Sequence, residues 1–121
     1  MGRTVLAIDD SRTMRELIAS TLASAGYDVR LASDGEDGVA ALTSLSPDVI
    51  LTDLNMPRLD GFGVIAAVRR SDAHRATPVL VLTTESAPDL KARARAAGAT
   101  GWIVKPFDAA ALVAAVRRVA G

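Results

Sequence analysis

The sequence predicts a single α/β domain in which one parallel five-stranded sheet is covered by helices on both faces. Three observations carry that reading. Five short aliphatic runs alternate with five stretches of helical spacing. The runs are continuously apolar rather than alternating, as strands buried on both faces require. Each intervening stretch is long enough for a helix, the usual crossover between parallel strands. A chain of 121 residues fits one domain and buries roughly two-thirds of its unfolded surface, so it needs no covalent staple.

Taken in order, Val5-Leu6-Ala7-Ile8 is the first strand. Met14, Leu17, Ile18, Thr21, Leu22 and Ala25 then recur at three- and four-residue spacing, and Ala25-Gly26 supplies a helix stop. Val29 to Ala32 is the second strand, and a helix is expected near Gly35 to Leu45. Strands at Val49 to Thr52, Val79 to Thr83 and Gly101 to Val104 alternate with helices near Gly61 to Arg70 and Pro88 to Ala97. A last helix carries Leu112, Val116 and Val119. The helix after Pro88 has little apolar surface beyond Leu90 and alanines, with Lys91, Arg93 and Arg95 between them. It is expected to be thinly anchored and the most mobile of the five. Residues 1–121 read as one unit without linker, repeat or appended domain.

Composition excludes several classes. Lys+Arg and Asp+Glu both number 14, so the formal net charge is zero and no field favours nucleic acid or an anionic membrane. With no cysteine, disulfides and thiolate metal sites are excluded, which is compatible with a cytoplasmic location. No apolar run approaches a membrane span, no signal peptide is expected at the start, and Leu6 stands where a myristoylation pattern needs Ser or Thr. His74, the lone histidine, lies between Asp72 and Arg75 before Pro78 and is expected in a solvated loop, since a zinc site would need partners.

The chemistry gathers at the ends of the runs. Asp9-Asp10 follows the first, Asp53 the third, Thr83 closes the fourth, and Lys105-Pro106 follows the fifth. Parallel strands bring all of these to one sheet edge, where open α/β sheets bind ligands. Carboxylates held close together raise each other's pKa unless a cation joins them. A hard divalent metal held by oxygen ligands is the expected cation, with Lys105 as a second positive charge. Asp9-Asp10-Ser11-Arg12 stands where a nucleotide-binding fold would carry a Gly-rich phosphate loop.

Each feature also has a local explanation. Asp10 or Ser11 could cap the first helix, Asp53 could order the turn through Met56-Pro57, and Thr83-Thr84 could lead into a cap. Trp102, the only tryptophan, could be core or half-buried and movable. Lys105 stands out because twelve of the 14 basic residues are Arg and only Lys91 and Lys105 are Lys. A compact point charge is what that position selects. Capping alone does not place all these groups at the same end of consecutive strands.

As a set, Val5-Leu6-Ala7-Ile8-Asp9-Asp10-Ser11, Asp53-Leu54-Asn55-Met56-Pro57, Asp60-Gly61 and Lys105-Pro106-Phe107 resemble the receiver domains of two-component response regulators across essentially the whole chain. Ser11-Arg12-Thr13-Met14-Arg15, Glu85 and Gly98-Ala99-Thr100-Gly101-Trp102 resemble the stand-alone, CheY-like chemotaxis branch. The resemblance implies a flavodoxin-like, doubly wound (βα)5 fold with strand order 2-1-3-4-5 and no effector domain. It implies that Asp53 accepts a phosphoryl group, that Asp10, Asp53 and the Asn55 carbonyl bind Mg²⁺ with Asp9 assisting through water, and that Thr83 and Lys105 contact the phosphoryl group. It further implies a cis Lys105-Pro106 peptide, a Thr83–Trp102 switch, and Asn55 and Glu85 as residues that tune hydrolysis. Trp102 stands where many members carry Tyr or Phe, and Thr84 where the residue is often small.

The expected activity is that of a monomeric signalling switch rather than an enzyme, phosphorylated by a CheA-like histidine kinase and acting on the flagellar motor switch. Two alternatives stand beside it: a phosphate sink or relay intermediate, and a small Mg-dependent phosphohydrolase of the haloacid-dehalogenase type. The last would place its Asp nucleophile after the first strand in an Asp-x-Asp arrangement, whereas here the acid pair comes first.

Overall fold

Side chains along each continuously buried central strand point alternately to the two faces of a single sheet and build a core on either side. The computed structural model describes residues 3–120. Within them the order is β1 (Thr4–Ile8), α1 (Arg12–Ser24), β2 (Asp28–Ala32), α2 (Gly35–Ala41), β3 (Val49–Thr52), α3 (Gly61–Arg70), β4 (Val79–Thr83), α4 (Pro88–Ala97), β5 (Gly101–Val104) and α5 (Ala109–Ala120). The strands pair in the order β2-β1-β3-β4-β5, all parallel, as the resemblance implies. Because side chains on a strand alternate faces, Leu6, Ile8, Ile50, Val79 and Val81 enter one core with Val64, Ile65 and Val68 of α3 and Ala94 of α4. Val5, Ala7, Val49, Leu51, Leu80 and Leu82 enter the other with Ile18 and Leu22 of α1 and Leu112 and Val116 of α5. Each of these large side chains contributes about 1.5–3 kcal/mol by leaving water.

The three central strands meet the expectation of burial on both faces, and the outer two do not. In β2 only Ala32 is buried and Leu31 is exposed, because an edge strand has a neighbour on one side only. In β5 no residue is buried and Val104 is exposed.

The helix expected to reach Leu45 stops at Ala41. Leu42, Thr43 and Ser44 each donate their N–H three residues back, to Val39, Ala40 and Ala41, and the Thr43 hydroxyl donates to the Ala40 carbonyl at 2.9 Å. Hydroxyl side chains offer the backbone this tighter alternative and end the helix early. His74 is also corrected. It is 6% exposed, with Nε2 2.9 Å from the Leu42 carbonyl oxygen, so it ties the turn after α3 to the end of α2 instead of facing solvent.

Helix α4 buries Ala94 alone, and Ala87 before its first residue supplies no side-chain cap, which fits the thin anchorage expected of it. Two arginine contacts supplement that face. Arg93 stacks over the Phe62 ring at 4.0 Å. Arg69 donates to the Gly98 carbonyl from Nε and Nη2 (3.0 and 2.7 Å) and from Nη1 to the carbonyls of Arg75 and Thr77 (2.9 and 2.7 Å). Gly98, with φ 114°, adopts the left-handed conformation that ends α4.

Candidate functional site

Strand order reverses between β1 and β3, because the chain leaves β1 toward β2 on one side and returns to β3 on the other. The register pairs Ile8 with Thr52, so the next residues, Asp9 and Asp53, emerge side by side at the carboxyl edge. Main-chain bonds fix them there: the Asp53 N–H donates to Ile8 O at 3.0 Å and the Asp9 N–H to Ala32 O at 3.1 Å. Thr83 pairs with Val104, and the Lys105 N–H donates to Thr83 O at 2.8 Å, which brings the lysine to the same edge. The Lys105–Pro106 peptide is cis.

The side chains converge as the sequence reading expects. One carboxylate oxygen each from Asp9, Asp10 and Asp53 lies within 4.8 Å of the others. Asp9 is buried and uses both oxygens, accepting from the Ser11 N–H at 2.9 Å and from Lys105 Nζ at 2.5 Å. Asp53 accepts from the Leu54 N–H at 2.7 Å and from Lys105 Nζ at 3.1 Å. The Lys105 side chain is 8% exposed. Burial alone would lower its pKa, but hydrogen bonds and charge attraction from Asp9 and Asp53 outweigh it and hold the ammonium above its usual value. Asp10 is exposed and makes no hydrogen bond or ion pair with the described residues.

Of the local explanations, the first is settled between its two candidates. Ser11 caps α1, its hydroxyl accepting from the Met14 N–H at 3.2 Å, while Asp10 does not. The Asp53 side chain does order its own turn through the Leu54 N–H, but its second oxygen faces Lys105. Three carboxylates against one ammonium leave an excess of two negative charges. An all-oxygen donor set with that excess fits a hard divalent cation.

A second line of contacts runs away from this cluster. The Thr83 hydroxyl, fully buried, accepts from the Glu85 N–H at 3.3 Å, and the Glu85 carbonyl accepts from the indole Nε1–H of Trp102 at 3.1 Å. One residue of the β4–α4 loop therefore joins the threonine to the tryptophan. Trp102 is half-buried, packs against the core beneath α3 and α4, and borders a cleft of about 60 Å³ with Ala94, Arg95 and Ala99. Thr84 and Asn55 are exposed and Glu85 half-buried.

Two arginines on the site's side of the sheet, Arg15 and Arg58, and one at the far end of α3, Arg69, were not singled out individually by the sequence. Arg15 Nη1 donates to the Asp9 carbonyl at 2.8 Å. Arg58 pairs with the buried carboxylate of Asp34, and Arg69 holds the end of α4. For Asp34 a signal existed: an acidic residue before Gly35-Glu36 at a helix start. For the arginines none did, since guanidinium partners here lie up to 29 residues away in sequence.

Comparison with known proteins places the whole fold among related chains. The family model for the response regulator receiver domain matches residues 5–117. Protein PilG of Pseudomonas aeruginosa is 35% identical over 116 residues, spanning 96% of this chain and 86% of PilG. The transcriptional regulator RpaA of Synechocystis is 39% identical over 113 residues, and the matched region is 47% of RpaA. Among solved structures, the chemotaxis protein CheY4 of Vibrio cholerae superposes with a TM-score of 0.94 at 43% identity, covering 98% of this chain and 99% of that one. The receiver domain of sensor histidine kinase PA1611 from Pseudomonas aeruginosa, which holds a magnesium ion in its active-site cleft, gives 0.92 at 29% identity, covering 100% and 99%.

Proposed function

The chain belongs to the response regulator receiver domain family, and from that premise we propose that it is a binding switch operated by phosphorylation of Asp53. The observation that carries the reading is Lys105 Nζ seated between Asp9 and Asp53, at 2.5 and 3.1 Å, with Asp10 completing the carboxylate group. Asp10, Asp53 and the main-chain carbonyl of Asn55 would hold Mg²⁺, with Asp9 assisting through water. When bound, the metal neutralises charge on phosphoryl oxygens and helps orient them.

The chain's own residues do the rest. Asp53 attacks phosphorus through a carboxylate oxygen, forming an acyl phosphate as the donor's bond to phosphorus breaks. Lys105, already charged and fixed, faces the negative charge that spreads over the transferred group without having to reorganise. Asn55 and Glu85, two positions beyond Asp53 and Thr83, flank the path of hydrolytic water and set the lifetime of the product. The residue thus catalyses its own modification, and the protein turns over no separate substrate.

Output runs through Thr83. Its hydroxyl is bonded to the Glu85 N–H, and Glu85 holds the Trp102 indole. A phosphoryl group on Asp53 accepts from that hydroxyl and draws Thr83 toward it, so its arrival changes the geometry of the β4–α4 loop and the face formed by α4, β5 and α5. Such a change shifts a two-state equilibrium by its differential stabilisation, on the order of a few kcal/mol, which suffices for graded control of a partner.

The donor is a histidine kinase of the CheA type and the target the flagellar motor switch, a reading supported by the 43% identity to Vibrio cholerae CheY4. The test is stoichiometry followed by capture. One phosphoryl group retained per chain, with a motor-switch protein recovered on beryllofluoride-loaded protein and not on the unloaded form, is the expected outcome. Many turnovers of a phosphate ester would establish a phosphohydrolase instead. Phosphotransfer without any activated-state partner would establish a sink.

A further inference from the structure

The loop from Asp53 to Gly61 is held at both ends and at its apex. At the ends, the Leu54 N–H donates to the Asp53 carboxylate and the Gly61 N–H to the Leu54 carbonyl at 2.9 Å. Gly61 lies so close that an added Cβ would meet the Asp53 carbonyl oxygen at 2.3 Å. At the apex stands Arg58, the one non-glycine residue with positive φ (70°) among those described. That left-handed conformation is uncommon for a long side chain, and it is accompanied by a specific contact. Arg58 Nε donates to Oδ2 of Asp34 at 2.9 Å, and Nη2 donates to the same oxygen. The Asp34 side chain is 3% exposed, and its other oxygen caps α2 by accepting the Asp37 N–H at 2.9 Å. Next to the pair, Gly35 abuts the loop, where a Cβ would meet the Leu59 carbonyl oxygen at 2.0 Å. The start of α2 is thus clamped onto the segment that carries Asp53 and Asn55.

We propose that the Arg58–Asp34 ion pair is a positioning device for the phosphoacceptor loop, setting the approach of Asn55 to the metal and thereby metal affinity and phosphoryl lifetime. It rests on the assignment of Asp53 and Asn55 given above. Neither Arg58 nor Asp34 belongs to the carboxylate group itself. Their influence passes through the main chain of residues 54–60, as outer-sphere partners orient ligands in metal sites.

The test compares wild type with Arg58→Ala, Arg58→Lys and Asp34→Asn, the last keeping an oxygen that can cap α2. In metal-free protein, amide exchange at Leu54 and Gly61 should accelerate in Arg58→Ala and Asp34→Asn. Mg²⁺ titrations followed by calorimetry should give a dissociation constant raised roughly tenfold in Arg58→Ala, the lower end of outer-sphere effects. Arg58→Lys, which supplies a point charge without the fork, should recover part of the loss. Combining Arg58→Ala with Asp34→Asn should add little to either alone. If Arg58→Ala does not fold, Asp34→Asn and Arg58→Lys report the same two quantities. Unchanged exchange together with Mg²⁺ affinity within about twofold of wild type, in folded variants, would overturn the positioning role. A wild type that binds no Mg²⁺ would instead overturn the metal assignment on which it rests.

Discussion

Replacing Asp10 by Asn separates the cost of holding three carboxylates together from their use. Asp10 is exposed and bonded to none of the described residues, and Ser11 rather than Asp10 caps α1, so the substitution removes a charge and no hydrogen bond. Its oxygen lies within 4.8 Å of one from Asp9 and one from Asp53. At that separation two unit charges repel by ~0.9 kcal/mol with water-like screening and ~3.5 kcal/mol at an effective dielectric of 20. Exposure of Asp10 favours the lower figure. Two such repulsions, less the attraction to Lys105, leave roughly 1 kcal/mol. The metal-free variant should therefore melt about 3–5 °C above wild type. Mg²⁺ should reverse the order, because at a hundred times its dissociation constant it stabilises the native state by ~2.7 kcal/mol, a gain the variant largely forfeits. Thermal melts in chelator and across a Mg²⁺ titration should show the two proteins crossing. A variant no more stable than wild type in chelator and gaining as much from Mg²⁺ would refute the reasoning.

Three further outcomes follow from contacts elsewhere. Beryllofluoride or phosphorylation should blue-shift Trp102 emission in wild type, and Thr83→Ala should keep Mg²⁺ binding yet lose most of the shift, since the hydroxyl that links Glu85 to the site is gone. Arg69→Ala should cost about 2–3 kcal/mol in denaturant unfolding by leaving the carbonyls of Gly98, Arg75 and Thr77 without their charged donor. For Asp34, hydrogen bonds from the Asp37 N–H and then from Arg58 hold the carboxyl below its usual pKa. Its contribution is accordingly complete above the unfolded value of about 3.9 and lost as pH falls through the lower folded one, so the instability of Asp34→Asn at pH 7 should vanish in strongly acidic solution.

Whatever depends on a local pattern could be read from the chain. The apolar runs at Val49 to Thr52 and Val79 to Thr83 coincide with β3 and β4, and their carboxyl ends deliver Asp53 and Thr83 to one edge as parallel pairing demands. Failures occurred where tertiary partners decide. His74 is drawn inward by a carbonyl 32 residues away; the early end of α2 is the exception, since there the Thr43 hydroxyl bonds the Ala40 carbonyl only three residues back. β2 is exposed because no further strand among the described residues pairs with it beyond β1, a fact of strand order that its composition does not record. The Arg58–Asp34 and Arg69–Gly98 contacts span 24 and 29 residues, so no sequence window contains both partners. The carboxylate group was accessible because each member ends a strand, whereas the link from Thr83 through Glu85 to Trp102 required the loop's hydrogen bonds to be seen.

The most direct test of the account is covalent labelling. Incubation with acetyl phosphate and Mg²⁺ should raise the intact mass by one phosphoryl group, with the modification mapping to Asp53 after borohydride trapping and peptide sequencing, and Asp53→Asn should remain unlabelled. Label on another residue of the wild-type chain, or persistent labelling of Asp53→Asn under the same conditions, would contradict it.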